Sequence, residues 1–338
     1  MKNFILITAV IISILFLAGC QTGDSGTTST GTPYIGGTNG LLISFLDNSP
    51  PAQVSDGGQF PFQIVVLLEN AGEANISKKK ANVTISGLYP SDFGVAQSEL
   101  SNSNEDDIIG MKKDSAGNKI QGMTAQVIIP KTEGKQLAFK RSLSAGNIEL
   151  PIQTNVCYSY KTMASGKYCL RQNPVSTVAG VCEASGPKEI FSSASPIGVD
   201  SLVESFAGGN TININFRISK KGNGNVFKWS PDNEGAVCGQ TAGSKVSDQN
   251  IVNVTVGVPE DPATPPEDRV KITCYGLSSS GDQKNKGAVR LDNQGNAMVS
   301  CKIANNAQVD AVREVLIEVL FDYSEVRSSS LIVQRLLG

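Results

Sequence analysis

Residues 211–218 read Thr-Ile-Asn-Ile-Asn-Phe-Arg-Ile. Ile212, Ile214, Phe216 and Ile218 fall on one face of an extended chain, and Asn213, Asn215 and Arg217 on the other, because successive strand side chains point to opposite faces. Residues 251–258 repeat the alternation with Val252, Val254, Val256 and Val258. This is the pattern of half-buried antiparallel strands, with one face on a core and the other in water. Helical periodicity is almost absent after residue 20, and 34 Gly and 15 Pro supply turns throughout. The expected fold is all-β, built as antiparallel sandwiches.

Two long-range similarities organise the chain. Phe62, Ile64, Val66 and Leu68, then Gly72 and Ile76, align with Ile212, Ile214, Phe216 and Ile218, then Gly222 and Val226, at an offset of 150. Tyr158-Ser-Tyr160 and the stretch to Leu170 align with Phe321-Asp-Tyr323 and the stretch to Val333 at an offset of 163. Matching elements in a fixed order predict a duplicated domain, with a net insertion of 13 residues in the second copy. The expected organisation is one sandwich over residues 41–175, an interdomain segment over 176–195 and a second sandwich over 196–338. A third domain after Gln249 is the competing division. Within each copy the last two strands are expected as a hairpin: 149–160 with 168–171, and 315–322 with 329–334.

The N-terminus reads as an address. Lys2 precedes an apolar run from Phe4 to Ala18. As a helix that run is too short for a ~30 Å hydrocarbon core. It matches a secretory signal, residues 1–19. Leu17-Ala18-Gly19-Cys20 resembles the lipobox of prokaryotic lipoproteins, which implies cleavage before Cys20 and a diacylglycerol on its thiol. Two or more acyl chains hold a protein stably on a membrane. Residues 20–40 are then a tether rich in Gly, Ser and Thr, unable to bury a core. The expected location is the outer side of the cell membrane.

Six cysteines remain: Cys157, Cys169, Cys182, Cys238, Cys274 and Cys301. An even number in an exported chain predicts three disulfides. Proximity in sequence favours Cys157–Cys169, Cys274–Cys301 and Cys182–Cys238. A zinc site is the weaker alternative, since there is no C-x-x-C pair and no His.

The strand, Asn70-Ala71-Gly72 turn and strand of residues 62–76 resemble the Ig-like adhesion-type modules of prokaryotic surface proteins. Cys157-Tyr-Ser-Tyr-Lys-Thr162 with Tyr168-Cys169-Leu170 is similar to a pattern in archaeal envelope lipoproteins. The resemblance implies tandem Ig-like modules at a cell surface and brings no catalytic or binding residues with it. Archaeal and bacterial envelopes both fit.

The absence of His excludes a Ser-His-Asp triad, a Cys-His pair and His-ligated metals. Lys plus Arg is 29 against 31 Asp plus Glu, so nothing marks a nucleic-acid surface. Ser185-x-x-Lys188 matches a penicillin-recognising motif but lacks a helical setting. The acidic stretches at Glu105-Asp106-Asp107, Asp232-Asn233-Glu234, Glu260-Asp261 and Glu267-Asp268 lack calcium-loop spacing and read as solvated loops. Lys78-Lys79-Lys80 reads as a strand-edge charge, with anionic lipid as the alternative. Asn75, Asn82 and Asn253 head N-x-Ser/Thr sequons. The last strand, followed by Leu336 and Leu337, is apolar enough to pair with a neighbour, as in a filament. No cofactor and no catalysis are expected. The expected role is structural or adhesive, with an envelope protein or a surface polysaccharide as partner. A surface filament and a carboxylate hydrolase are the alternatives.

Overall fold

The computed structural model describes residues 32–173, 176, 180–208, 211–229, 238, 246–260, 270–278, 283–304 and 310–336. The signal, Cys20, most of the tether, the acidic stretches 232–234 and 267–268, Asp261 and the prolines of 262–266 lie outside the described residues. In the first half, β1 (Leu41–Phe45), β2 (Gln53–Ser55), β3 (Ile64–Asn70), β4 (Ala81–Ser86) and β5 (Ser101–Ser103) come first. Then follow β6 (Lys112–Lys113), β7 (Lys119–Ile120), β8 (Thr124–Ile129) and the 24-residue β9 (Asn147–Leu170). The segment expected as a linker holds β10 (Gly186–Lys188) and β11 (Ile190–Ser192). The second half contains β12 (Ile197–Phe206), β13 (Thr211–Lys220), β14 (Asn225–Lys228), β15 (Ile251–Gly257) and β16 (Ile272–Tyr275). It continues through β17 (Lys286–Arg290) and β18 (Asn296–Ala304) to the 24-residue β19 (Ala311–Gln334). The fold is all-β.

The same strand order occurs twice. β1-β3-β8 forms one sheet, and β12-β13-β18 forms the centre of another. β4 pairs with β9, and β15 with β19, in the shared central sheet. The registers agree: Ile43 opposes Leu68 as Val199 opposes Ile218, and Leu68 opposes Ala125 as Ile218 opposes Ala297. Aligning the strands also brings out a likeness missed in the sequence. Ala81-Asn-Val-Thr-Ile-Ser86 corresponds to Val252-Asn-Val-Thr-Val-Gly257, with Asn82 opposite Cys157 and Asn253 opposite Leu320.

The two halves are joined along their last strands. β9 and β19 pair antiparallel over their whole length, from Ala311↔Leu170 to Gln334↔Asn147. The pseudo-twofold axis passes through Ser159↔Asp322, where the Ser159 hydroxyl donates to Asp322 Oδ1 at 2.6 Å. Around it, Tyr158, Tyr160, Phe321 and Tyr323 pack with centroids 5.7 to 6.3 Å apart, edge to face except for the tilted Tyr160–Phe321 pair. Residues of both halves belong to one buried apolar cluster, and Pro33–Gly338 is one compact unit. Among the described residues no helix is long and apolar enough to cross a membrane.

The expected hairpins are therefore continuous strands. Residues 161–167 look like a turn because they are small and polar. They stay extended because they are paired on both sides, with β19 along their length and with β11 at Ala164–Gly166. The buried Thr162 hydroxyl lies 2.6 Å from the Ile197 carbonyl and 2.8 Å from the Ser195 hydroxyl. This overturns two expected disulfides. At ~3.3 Å per residue, Cys157 and Cys169 stand about 40 Å apart on one strand, far beyond bridging range. The bonds are Cys157–Cys238, Cys169–Cys182 and, as expected, Cys274–Cys301. In the chain-entropy account the first, closing 81 residues, stabilises by about 4.5 kcal/mol.

One latch occurs in both halves. The Ala74 N–H donates to the Tyr160 hydroxyl at 3.3 Å, and the Gly224 N–H to the Tyr323 hydroxyl at 2.6 Å. Both hydroxyls sit where a Cβ on Gly72 or Gly222 would be. That contact accounts for the matched glycines. Burial raises both tyrosine pKa values, that of Tyr323 to about 12, so both stay neutral hydroxyls that accept these N–H groups. Gly72→Ala and Gly222→Ala should each destabilise by about 1–3 kcal/mol through overpacking. Urea unfolding of the two variants would read this, and an unchanged midpoint in both would remove the latch from the account.

The end of β19 is tied down by Asp56. Its carboxylate accepts the Leu336 N–H at 2.7 Å and the Leu143 N–H at 2.6 Å. These bonds, Leu336 first, hold its pKa below the usual carboxylate range. A depressed carboxylate stabilises above its unfolded pKa of about 3.9, and that gain is lost as pH falls through the folded value. Asp56→Asn should therefore lower the Tm at pH 7, with the difference from wild type closing below about pH 3. A difference that is constant across this range would show that Asp56 titrates normally.

Candidate functional site

The outer face of β15 and β17 carries the clearest concavity. Val252, Val254 and Val256 are buried, so Asn253 and Thr255 face outward. Across the ladder Asn253 opposes Ala288 and Thr255 opposes Lys286. Ser278 closes one side through paired backbone hydrogen bonds with Ala288, at 2.7 and 3.2 Å. It passes so close to Gly287 that a Cβ there would lie 2.9 Å from the Ser278 carbonyl. Lys228, the last residue of β14, and Gln283 complete a cleft of about 350 Å³.

Its chemistry is one-sided. Two ammonium groups, two side-chain amides and a hydroxyl line it, and no described lining residue is a carboxylate. Glu318 lies two strands from Lys286, roughly 10 Å, and is paired with Lys161 at 3.7 Å. Asn253 Oδ1 is buried without a hydrogen-bond partner. An orphaned buried acceptor costs about 1–3 kcal/mol, which a ligand hydroxyl would offset. The site presents donors for an anion.

The other residues singled out from the sequence fall elsewhere. The basic run and one acidic stretch meet: Lys78 Nζ lies 3.9 Å from Glu105, and the Lys78 N–H donates to Asp107 at 2.7 Å. They offset one another at the surface. Among the described residues, no three potential ligands gather as a metal site. Lys188 does not serve Ser185: its ammonium lies 3.3 Å from the buried Glu204, whose pKa burial raises. Residues 332–334 have β9 on one side and β2 on the other, and Leu331 and Val333 are fully buried. That stretch offers no free edge to a neighbouring subunit. The cleft itself was missed in the sequence, because Lys228 and Lys286 come from distant strands and the only hint was Asn253.

No family model matches the chain, and no curated protein matches it. Among solved structures it is similar, at 9% identity and a TM-score of 0.17, to the secreted serine protease VesC from Vibrio cholerae, over 84% of this chain and 50% of that one. The chain spans about half the length of that structure.

Proposed function

We propose that this chain is a lipid-anchored, non-catalytic surface protein whose second half binds an anionic polysaccharide. The observation that carries the binding role is the cleft: Lys228 and Lys286 beside the unpartnered Asn253 Oδ1, with no carboxylate on the described walls. Uronate units present a carboxylate for the lysines and hydroxyls for the amide. The strand order supports two Ig-like sandwiches. In this reading β1-β3-β8 and β4-β9 make up one sandwich, and β12-β13-β18 and β15-β19 the other, with β9 and β19 paired between them. Three disulfides suit an oxidising exterior. The lipobox at residues 17–20 supplies the anchor, with Cys20 as the lipidated residue.

The binding reading is tested by retention on immobilised polygalacturonate against neutral dextran. Wild type should be held at low salt and released at high salt. The double variant Lys228→Met/Lys286→Met should bind at least tenfold more weakly with an unchanged melting curve. Equal retention of wild type and variant, or equal retention on dextran, would refute the cleft as the site. The anchor is read separately. Cys20→Ser should move the protein from the detergent phase to the aqueous phase, and a variant that stays with detergent would exclude lipid on Cys20.

A further inference from the structure

Three sequons occur in the chain, and the structure treats them differently. Asn82 lies in β4, half-buried between β5 and β9. Its Oδ1 accepts from the Ser101 hydroxyl at 3.1 Å, and its cross-strand neighbours are Ser103 and the disulfide-bonded Cys157. Asn253 lines the cleft, so a saccharide on its side chain would fill that space. Asn75 lies in neither situation. It sits in the loop between β3 and β4, with Ile76 buried beneath it and both Asn75 and Ser77 exposed on the same side.

That loop is held firmly. Ile76 and Ile108 exchange backbone hydrogen bonds at 3.0 and 2.8 Å, and the Met111 N–H donates to the Gly72 carbonyl at 2.7 Å. The Gly110 N–H donates to Asn75 Oδ1 at 2.9 Å, which fixes the amide and leaves Nδ2 with no hydrogen bond among the described residues. The repeat supplies an internal comparison. At the offset of 150, Asn75-Ile76-Ser77 corresponds to Asn225-Val226-Phe227. There the third position is an aromatic ring buried against the Cys157–Cys238 bridge, and the Asn opens strand β14. Only the first half has a hydroxyl at the third position and an exposed loop at this turn.

We propose that Asn75 is the site at which this protein carries a covalent saccharide, and that Asn82 and Asn253 stay unmodified. This rests on the outward-facing location proposed above; the assignment of Asn75 does not draw on the cleft, and the exclusion of Asn253 does. The donor class is a lipid-phosphate-linked saccharide, acted on by a membrane transferase. Asn75 Nδ2 attacks the anomeric carbon and a C–N bond forms. The bond from that carbon to the phosphate oxygen breaks, the lipid phosphate leaves, and the amide proton passes to a base on the transferase.

The test is peptide mapping by mass spectrometry on the full-length protein extracted from its own envelope. Saccharide mass is expected on the Asn75 peptide alone. Ser77→Ala, which spares the Asn75–Gly110 bond, should abolish it, Ser77→Thr should keep it, and Asn82→Gln should leave it unchanged. A bare Asn75 peptide, or saccharide on Asn82 or Asn253, overturns the assignment. Lipid mass on the Cys20 peptide is read in the same digest. A lipidated but sugar-free protein defeats this inference and leaves the surface anchor standing. A protein with neither defeats both.

Discussion

The antiparallel register between β9 and β19 is the constraint on which the other features depend. Without its partner each of these strands would present a long row of unpaired backbone groups, a template for aggregation. With it, each half supplies the strand that completes the other's sheet. The four aromatic rings at the axis belong to two strands 163 residues apart in the chain at Ser159↔Asp322, and they meet only in this register. β15 hangs on β19 through residues 316–320, so the cleft on β15 and β17 also takes its place from this pairing.

The duplication was legible because it preserves the groups that cannot change without strain. Gly72 and Gly222 are matched because a tyrosine hydroxyl occupies the space of their Cβ, and Tyr160 and Tyr323 are matched because they supply it. The alternation of residues 211–218 and 251–258 was legible because one face is buried, with Val258 alone partly exposed. Two features were not. Residues 161–167 of β9 are mostly small and polar, and their extended form is imposed by neighbours rather than by propensity. The disulfide pairing followed the same error, since reading 149–160 and 168–171 as a hairpin brought Cys157 and Cys169 together. Cys274–Cys301 survived because it bridges directly paired residues of β16 and β18, both correctly read as strands.

What distinguishes the halves lies on the frame they share. Asn82 and Asn253 are equivalent positions, yet one is flanked by β5 and satisfied by Ser101, while the other is flanked by β17 and left with an open acceptor. Cys157 and Leu320 are equivalent too, and the cysteine draws Cys238 over its own end of the central sheet. A frame repeated for stability thus carries single-copy substitutions on its outer faces, where they do not disturb the buried rows.

The turn after β3 carries this asymmetry furthest. Glu73 accepts the N–H groups of Ile35, Gly36 and Ala194 at 2.9, 3.0 and 2.6 Å. One carboxylate therefore fastens both the chain entering from the N-terminal side and the junction between the halves to the first half's turn. At the offset of 150 its counterpart is Asn223, a residue without that charge. Charge-assisted bonds of this kind are about twice as strong as neutral ones, so the entering segment is held at a defined point of the frame. Asn75 follows two residues later in the same braced loop. A backbone already ordered by these contacts presents a side chain at little further entropic cost, which is why a modification site suits this turn better than either strand-bound sequon.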